Sequence, residues 1–277
     1  MFSFDLVATI VTFHTDVEDI KKCLNSFSSC KLKMKVVIVD NSSNKNLQSI
    51  VERFNFTEYI HTGRNIGFSR ANNIAVKKYV HKTKYFLFVN PDVYFEPGTI
   101  EKTVSLIEQN SDIALIAPKI LYPDGMIQTV AKRLPDPFDL ILRRFAPNFI
   151  KNFFKERMKR YELLDQNLDQ SLIIPSASGC FMFYRGNVLE KLEGFDDRFF
   201  MYMEDLDICR RTRELGDIVY YPKVVIFHKW ARGAHRNIKL LLIMISSVSK
   251  YFSKWGWFFD KKRKYLNQVR DFEGVLP

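Results

Sequence analysis

The sequence predicts an α/β fold built on a Rossmann-like, mostly parallel central sheet flanked by helices. Three observations carry this. Short β-branched runs alternate with segments whose apolar residues recur at helical spacing, five times within about 120 residues. The run Tyr85-Phe-Leu-Phe-Val89 is apolar without interruption, as expected of a strand covered on both faces. That run stops at Asn90-Pro91-Asp92, where proline cannot donate a ladder hydrogen bond, so a carboxylate stands at the carboxyl end of a central strand. Open α/β sheets bind their ligands along that edge.

The elements follow in order. Leu6 to Thr12 is β-branched and reads as the first strand. Ile20, Leu24 and Phe27 share one face of a helix from Val17 to Ser29. Lys35 to Val39 is a strand ending in Asp40-Asn41-Ser42-Ser43. A short helix over Gln48 to Phe54 and a short strand over Glu58 to His61 come next. Arg64-Asn65-Ile66-Gly67 introduces a helix from Phe68 to Val80. After the central strand, Pro97 and Gly98 open a helix to Gln109, and Ile113 to Ala117 is a further strand. Leu134 to Asp169 breaks the alternation with a mixture of Phe, Arg and Lys. Leu172 to Tyr184 reads as a strand with Ser178-Gly179 in its middle, and Ile218 to Phe227 as another leading to His228. The tail from Asn237 is basic and apolar.

Composition narrows the function. A formal charge of +11, from 42 Lys and Arg against 31 Asp and Glu, calls for an anionic partner such as nucleic acid, anionic lipid or a nucleotide-linked substrate. Cys23, Cys30, Cys180 and Cys209 show neither metal-ligand nor disulfide spacing, which fits a reducing compartment. The first residues lack the basic start and small-residue site of a signal peptide, and no apolar run reaches the ~18 residues that span a bilayer. No G-x-G-x-x-G follows the first strand and no Walker pattern occurs, against a nicotinamide enzyme or a P-loop NTPase.

Several residues stand out chemically. Asp92 suits a hard cation, which takes one or two carboxylates plus phosphate oxygens; Asn-Pro-Asp is equally ordinary turn chemistry. Asp40 can accept from a base or ribose, or cap its own turn. Asn65, Gly67, Arg70 and Asn72 open a helix whose free N–H groups suit phosphate, with Gly67 permitting close backbone approach, although a plain glycine cap explains the same letters. The densest stretch is Gly194-Phe-Asp-Asp-Arg-Phe-Phe-Met-Tyr-Met-Glu-Asp-Leu-Asp207. Its apolar surroundings can raise a carboxyl toward a useful general base at Glu204 or Asp205, while acidic residues also favour a helix's first turn. His228 becomes a metal or phosphate contact only if its strand end lies near Asp92.

Together these stretches resemble family 2 glycosyltransferases, especially the bacterial rhamnosyltransferase-like enzymes of lipopolysaccharide, O-antigen and surface-polysaccharide synthesis. The matching pieces, in the family's order between residues 6 and 230, are Val37-Ile-Val-Asp-Asn-Ser-Ser43, Asn65-Ile-Gly-Phe68 with Asn72-Asn73, Phe88-Val-Asn-Pro-Asp-Val93, Ser178-Gly-Cys-Phe-Met182 and the segment 194–207. The resemblance implies a GT-A fold over residues 1–235, with a nucleotide-sugar half (1–120), an acceptor half (121–235) carrying the basic insertion near 134–169, and a basic amphipathic helical segment over 236–277. It implies Asp205 as the base of an inverting transfer, with Glu204 beside it. Thr12, Asp40, Asn41, Asn65, Gly67, Arg70, Asn72, Asn90 and Asp92 would face the nucleotide sugar, Asp92 and His228 a Mg²⁺ or Mn²⁺ ion. Ser178, Gly179, Tyr202 and Glu204 would face the acceptor. Asn90 stands where the family usually has the first Asp of Asp-x-Asp, leaving one carboxylate in that motif.

By the same resemblance the donor is dTDP-rhamnose and the acceptor a polyprenyl-diphosphate-linked glycan, with UDP- or GDP-hexose donors as the alternative. A non-enzymatic basic protein binding nucleic acid rests on charge alone, since no helix-turn-helix, zinc-finger or RNP-type pattern occurs. Ile238, Leu241, Leu242, Ile245, Val248 and Phe252 approximate one helical face among lysines. Such a helix suits the headgroup layer of an anionic membrane, which would make the enzyme cytoplasmic and peripheral on the inner face; packing on the sheet is the competing reading.

Overall fold

A computed structural model describes residues 2–129, 131–230 and 238–276. The strands are β1 (Phe4–Thr12), β2 (Met34–Asp40), β3 (Thr57–His61), β4 (Thr83–Val89), β5 (Val93–Phe95), β6 (Ile113–Leu121), β7 (Leu172–Ile173), β8 (Phe181–Arg185), β9 (Asp217–His228) and β10 (Arg270–Asp271). The helices are α1 (Val17–Phe27), α2 (Gln48–Val51), α3 (Phe68–Tyr79), α4 (Thr99–Gln109), α5 (Pro137–Phe145), α6 (Asn148–Phe153), α7 (Lys155–Tyr161), α8 (Gly186–Leu192), α9 (Glu204–Thr212), α10 (Ile238–Trp255) and α11 (Lys261–Leu266).

The strands form one sheet in the order β10-β7-β9-β6-β8-β4-β1-β2-β3, with β5 pairing β9 off that path. The half β4-β1-β2-β3 is parallel throughout. Helices cover both faces, which is why β4 carries apolar side chains at every position from Tyr85 to Val89. Tyr85, Leu87 and Val89 join the cluster under α1 and α4, while Phe86 and Phe88 join the opposite cluster under α3, α8 and α9. Asp16 caps α1 by accepting from the Glu18 N–H at 2.8 Å.

The structure amends the expected elements in several places. The run from Leu172 to Tyr184 is two strands, β7 and β8, parted by a loop that carries Ser178-Gly179. β8 then enters the sheet antiparallel between β4 and β6, so the sheet is mixed beyond β4. α2 is a single turn, shorter than the periodicity suggests. The basic insertion folds into α5, α6 and α7, the first held by a reciprocal Asp136–Asp139 capping box with Pro137 in the first turn. The boundary expected near residue 235 falls outside the described residues.

The C-terminal segment docks on the domain. Tyr251 and Phe252 of α10 pack with Phe199, Met203, Leu206 and Leu134 in a small third cluster. Arg210 of α9 makes a buried two-pronged ion pair with Asp260, one prong at 2.6 Å. Ile238, Leu242 and Ile245 on the same helix stay exposed, so the apolar face read from sequence is buried at one end and open at the other. Among the described residues no helix is long and apolar enough to cross a membrane.

Candidate active site

The carboxyl ends of β4 and β9 and the amino end of β5 meet at Asp92. β5 pairs with β9 in the register Val93↔His228, which brings the ring of His228 beside the carboxylate. His228 Nε2 lies 3.4 Å from Asp92 Oδ1. The Trp230 N–H donates to Asp92 Oδ2 at 3.1 Å. Nδ1 shares a 3.0 Å hydrogen bond with Gln128 Oε1; an amide oxygen only accepts, so Nδ1 carries the proton and Nε2 is the atom turned to Asp92. Nε2 is buried and has no well-aligned hydrogen-bond partner among the described residues. Burial opposes charge on this imidazole, but Asp92 and Cys180 outweigh it and raise its pKa to about 10. Burial would likewise raise Asp92, yet His228 and the Trp230 N–H hold it below the ordinary carboxylate range.

No three His, Cys, Asp or Glu side chains converge among the described residues, so an all-protein metal cage is absent there. Asp92 and His228 nevertheless fit a cation that completes its shell with phosphate oxygens and water, as Mg²⁺ does. The orphaned Nε2, oriented from behind by Gln128, is the arrangement a ligating histidine shows. Gln128 comes from an irregular stretch and carries no sequence signal.

The second group of carboxylates opens α9. Tyr202 and Met203 both have positive φ, 72° and 67°, a pair of left-handed turns by non-glycine residues that costs on the order of 1–2 kcal/mol each. The turn delivers Glu204 inward and Asp205 toward the 178–180 loop. Asp205 Oδ1 accepts from the Leu206 N–H at 2.9 Å and Oδ2 from the Gly179 N–H at 3.4 Å. Glu204 is 7% exposed and its Oε2 has no hydrogen-bond partner among the described residues. Burial and the charge of Asp205 push Glu204 well above the usual carboxylate range. Burial raises Asp205 as well, but the Leu206 and Gly179 N–H groups and Lys132 favour its charged form. Glu204 is therefore the harder of the two to ionise, and Asp205 gives up its proton first.

Residues 178–180 join the two groups. Gly179 contacts Asp205, and the next residue's carbonyl, Cys180 O, accepts from the Asn90 N–H at 2.9 Å, two positions before Asp92. Ser178 Oγ accepts from the Cys180 N–H at 3.4 Å and shapes that loop. A cavity of about 370 Å³ opens where Gln128 and Trp230 stand behind the Asp92–His228 pair, lined also by Thr129, Arg143 and Glu162 among others. A larger one of about 580 Å³, bordered by Asn73, Glu190, Asp196 and Lys254, lies away from these carboxylates.

The nucleotide-side residues are more closed than their letters suggest. Asp40 is 1% exposed, with Oδ2 taking the Tyr59 hydroxyl at 2.5 Å and Oδ1 the Ser42 N–H at 2.9 Å. Burial would raise Asp40, but these partners hold it below the ordinary range. As built it orders the turn and presents no free carboxylate. Thr12, paired with Asp40 in register, is buried, and its hydroxyl helps to favour the charged form of Asp40. Asn41 donates to Asn65 Oδ1 at 3.4 Å and to Gly67 O at 3.2 Å, and Asn65 Oδ1 takes the Gly67 N–H at 3.0 Å. Gly67 does need its hydrogen, for a different reason from the one expected: an added Cβ would lie 2.5 Å from Phe200 O. That carbonyl also accepts the Phe68 N–H at 2.7 Å, taking one of the free donors of α3. Asn72 bonds Phe68 O, and Arg70 bonds Asp197 O, within the protein. Asn73 ties α3 to Phe195 and Asp197, so the acidic-aromatic segment rests on this helix.

With this geometry in place, residues 8–193 match the family described as Glycosyl transferase family 2. The chain belongs to that family. It is an enzyme of glycosyl transfer with a GT-A-like fold. It is 26% identical over 273 residues to rhamnosyltransferase WbbL of Escherichia coli K12, across 96% of this chain and 94% of the relative. It is 23% identical over 246 residues to the N-acetylglucosaminyl-diphospho-decaprenol L-rhamnosyltransferase of Mycobacterium tuberculosis, across 84% and 79% of the two chains. Among solved structures it resembles the mannosyltransferase PcManGT of Pyrobaculum calidifontis in complex with GDP-Man and Mn²⁺. The TM-score is 0.59 at 16% identity, over 92% of this chain and 64% of that one, so the match spans under two thirds of the longer neighbour.

Proposed function

We propose that this glycosyltransferase moves rhamnose from dTDP-rhamnose, with inversion, onto a polyprenyl-diphosphate-linked glycan at the inner face of the cytoplasmic membrane, in O-antigen or related polysaccharide synthesis. The observation that supports it most is the meeting of the Asp92–His228 pair and the Asp205 carboxylate around residues 178–180. Two relatives named as rhamnosyltransferases, one of them for a diphospho-decaprenol-linked sugar, support the choice of donor and acceptor.

Each part has a role. Asp92 and His228 would hold Mg²⁺ or Mn²⁺, which would offset the negative charge growing on the departing nucleoside diphosphate. Asp205, the carboxylate that ionises first, takes the proton from the acceptor hydroxyl as it attacks from the opposite face of the sugar. Glu204 stays neutral beside it, so the site does not carry two adjacent negative charges. The turn at Asp40–Ser42 and the Asn41–Asn65–Gly67 network give the nucleoside a rigid edge. Ser178, Gly179 and Tyr202 border the acceptor.

A membrane surface suits the outer side of this half. Phe149 and Phe153 are 74% and 84% exposed beside Lys151 and Lys155, and α5 and α10 rest on the same small cluster. The reading is tested by incubating the enzyme with Mg²⁺, a polyprenyl-diphosphate-linked sugar and dTDP-rhamnose, UDP-glucose or GDP-mannose in parallel, with NMR of the product's anomeric centre. An inverted rhamnoside is expected. Product from UDP- or GDP-hexose alone would replace the donor, and a retained anomer would remove the single-displacement role of Asp205.

A further inference from the structure

We propose that Lys132 and Arg143 form the subsite for the diphosphate that joins the acceptor's sugar to its lipid. The inference rests on the lipid-linked acceptor reading above and assigns that acceptor's charged group to named residues.

Lys132 is fixed beside the base. Its backbone bridges Ser176, with the Ser176 hydroxyl donating to Lys132 O at 2.7 Å. Three positions further on, Gly179 holds Asp205. Lys132 lies near enough to Asp205 to favour that carboxylate's charge. Yet its own ammonium, half-buried, makes no hydrogen bond or ion pair among the described residues. The neighbouring cations are spoken for: Arg133 pairs with Asp165 at 2.8 Å, and Arg157 with Asp139 at 2.7 Å. Burial and the like charge of Arg143 lower the Lys132 pKa to about 8. Glu162 and Asp205 pull the other way without offsetting this, and a further anion between the two cations would stabilise both.

Arg143 reaches this place from the other side. It lines the 370 Å³ cavity with Gln128 and Trp230, which belong to the Asp92–His228 surroundings. Glu162 Oε1 lies 3.6 Å from its Nε and occupies one edge of the guanidinium, leaving the other donors to a ligand. Two positions along α5, Phe145 is 59% exposed, and Ile141 is exposed on the same helix. Asp205 with Lys132 near it, Arg143, and the exposed apolar side chains of α5 thus make a set of base, cations and apolar side chains. A lipid-linked sugar carries the matching set: hydroxyl, diphosphate, hydrocarbon. The donor's diphosphate, by contrast, belongs with Asp92 and His228, which Gln128 and Trp230 connect to this cavity.

The test compares two acceptors at a pH above the enzyme's acid limb: a short polyprenyl-diphosphate-linked N-acetylglucosamine, and the phosphate-free octyl glycoside of the same sugar. The readout is the ratio of kcat/KM between them in the wild type, Lys132→Ala, Arg143→Ala and Lys132→Arg. A fall of tenfold or more in that ratio is expected for both alanine variants, through KM, with partial recovery in Lys132→Arg. Affinity for dTDP, measured by calorimetry with Mg²⁺, should stay within twofold. A loss shared equally by both acceptors would mean Lys132 serves only Asp205 and would overturn the subsite, as would a large loss of dTDP affinity. If the wild type shows no preference for the diphosphate-linked acceptor, the lipid-linked reading and the subsite fall together. A wild-type preference that the alanine variants keep removes the subsite alone.

Discussion

The β4-β1-β2-β3 half and the region formed by α5–α7, α9 and α10 hold together by different means. In the first, two apolar clusters sandwich the sheet; most of β1, β2 and β4 is buried, and β3 at the edge is half-buried. In the second, a cluster of only a few side chains is supplemented by charge: Arg210–Asp260, Lys254 with Asp207 and Asp196, Arg157 with Asp136 and Asp139. Trp255 Nε1 adds a hydrogen bond to Asp207 Oδ1 at 2.8 Å, and the Arg210 guanidinium lies 4.4 Å from the Trp255 ring centre. The same region leaves many large apolar side chains in solvent, Phe259 at 98% among them. Burial is non-directional and stabilises wherever apolar area is available, whereas a buried ion pair depends on geometry and fails when one partner is lost. Asp205, the proposed base, is therefore carried by the part of the molecule that relies more on specific pairing.

The comparison can be broken at several points. The largest effect expected is chemical: Asp205→Asn should lower kcat by about 10²–10⁴ while donor affinity changes little, as read by turnover and calorimetry. Turnover near the wild-type rate would move the base elsewhere. Next come the two kinds of support. Asp260→Ala strands the Arg210 guanidinium among buried groups and should cost about 3–5 kcal/mol in denaturant unfolding. Leu87→Ala in β4 should cost about 2–5 kcal/mol by leaving a cavity. The distinction lies in what fails. Asp260→Ala should release α10 and α11 to protease before the sheet unfolds, whereas Leu87→Ala should lower the whole transition. A single concerted loss in both variants would erase the contrast.

A smaller effect concerns the base's titration. Asp205 is raised by burial and acts only when ionised, so activity should fall as pH drops through its pKa. Lys132 favours the ionised form, and Glu204 beside it opposes that form only if charged. Removing the cation with Lys132→Ala makes ionisation harder, so the acid limb of the pH–kcat/KM profile should move to higher pH. A shift to lower pH would contradict the placement of Lys132. The smallest effect on stability is expected from Leu242→Ser with Ile245→Ser, exposed on α10, at within about 0.5 kcal/mol for each. That pair should nonetheless weaken sedimentation with vesicles containing anionic lipid. Unchanged vesicle binding would remove α10 from the membrane surface.

The first half was largely readable because parallel strands covered on both faces leave runs such as Tyr85–Val89 in the letters, and because Pro91 marks where β4 must stop. The acidic-aromatic segment was readable as a site, although its support was not. Nothing local announces that Tyr202 and Met203 turn left-handed, or that Asn73 anchors Phe195 from a helix more than a hundred residues earlier. Gly67 was legible as necessary, but its reason, the carbonyl of Phe200, depends on a distant neighbour. β5 and β10 are too short to leave a periodic trace.

By itself the sequence determined the alternating architecture, the family and the residues able to carry charge or protons, since these follow from side-chain type and short-range spacing. Tertiary structure alone decided which of them meet. Pairing of β5 with β9 sets His228 on Asp92, with Gln128 behind the ring, and the loop before β8 brings Gly179 to Asp205. It also decided that Glu204 is harder to ionise than Asp205. Ionisation depends on the solvent, donors and charges around a group, and those are supplied by segments far apart along the chain.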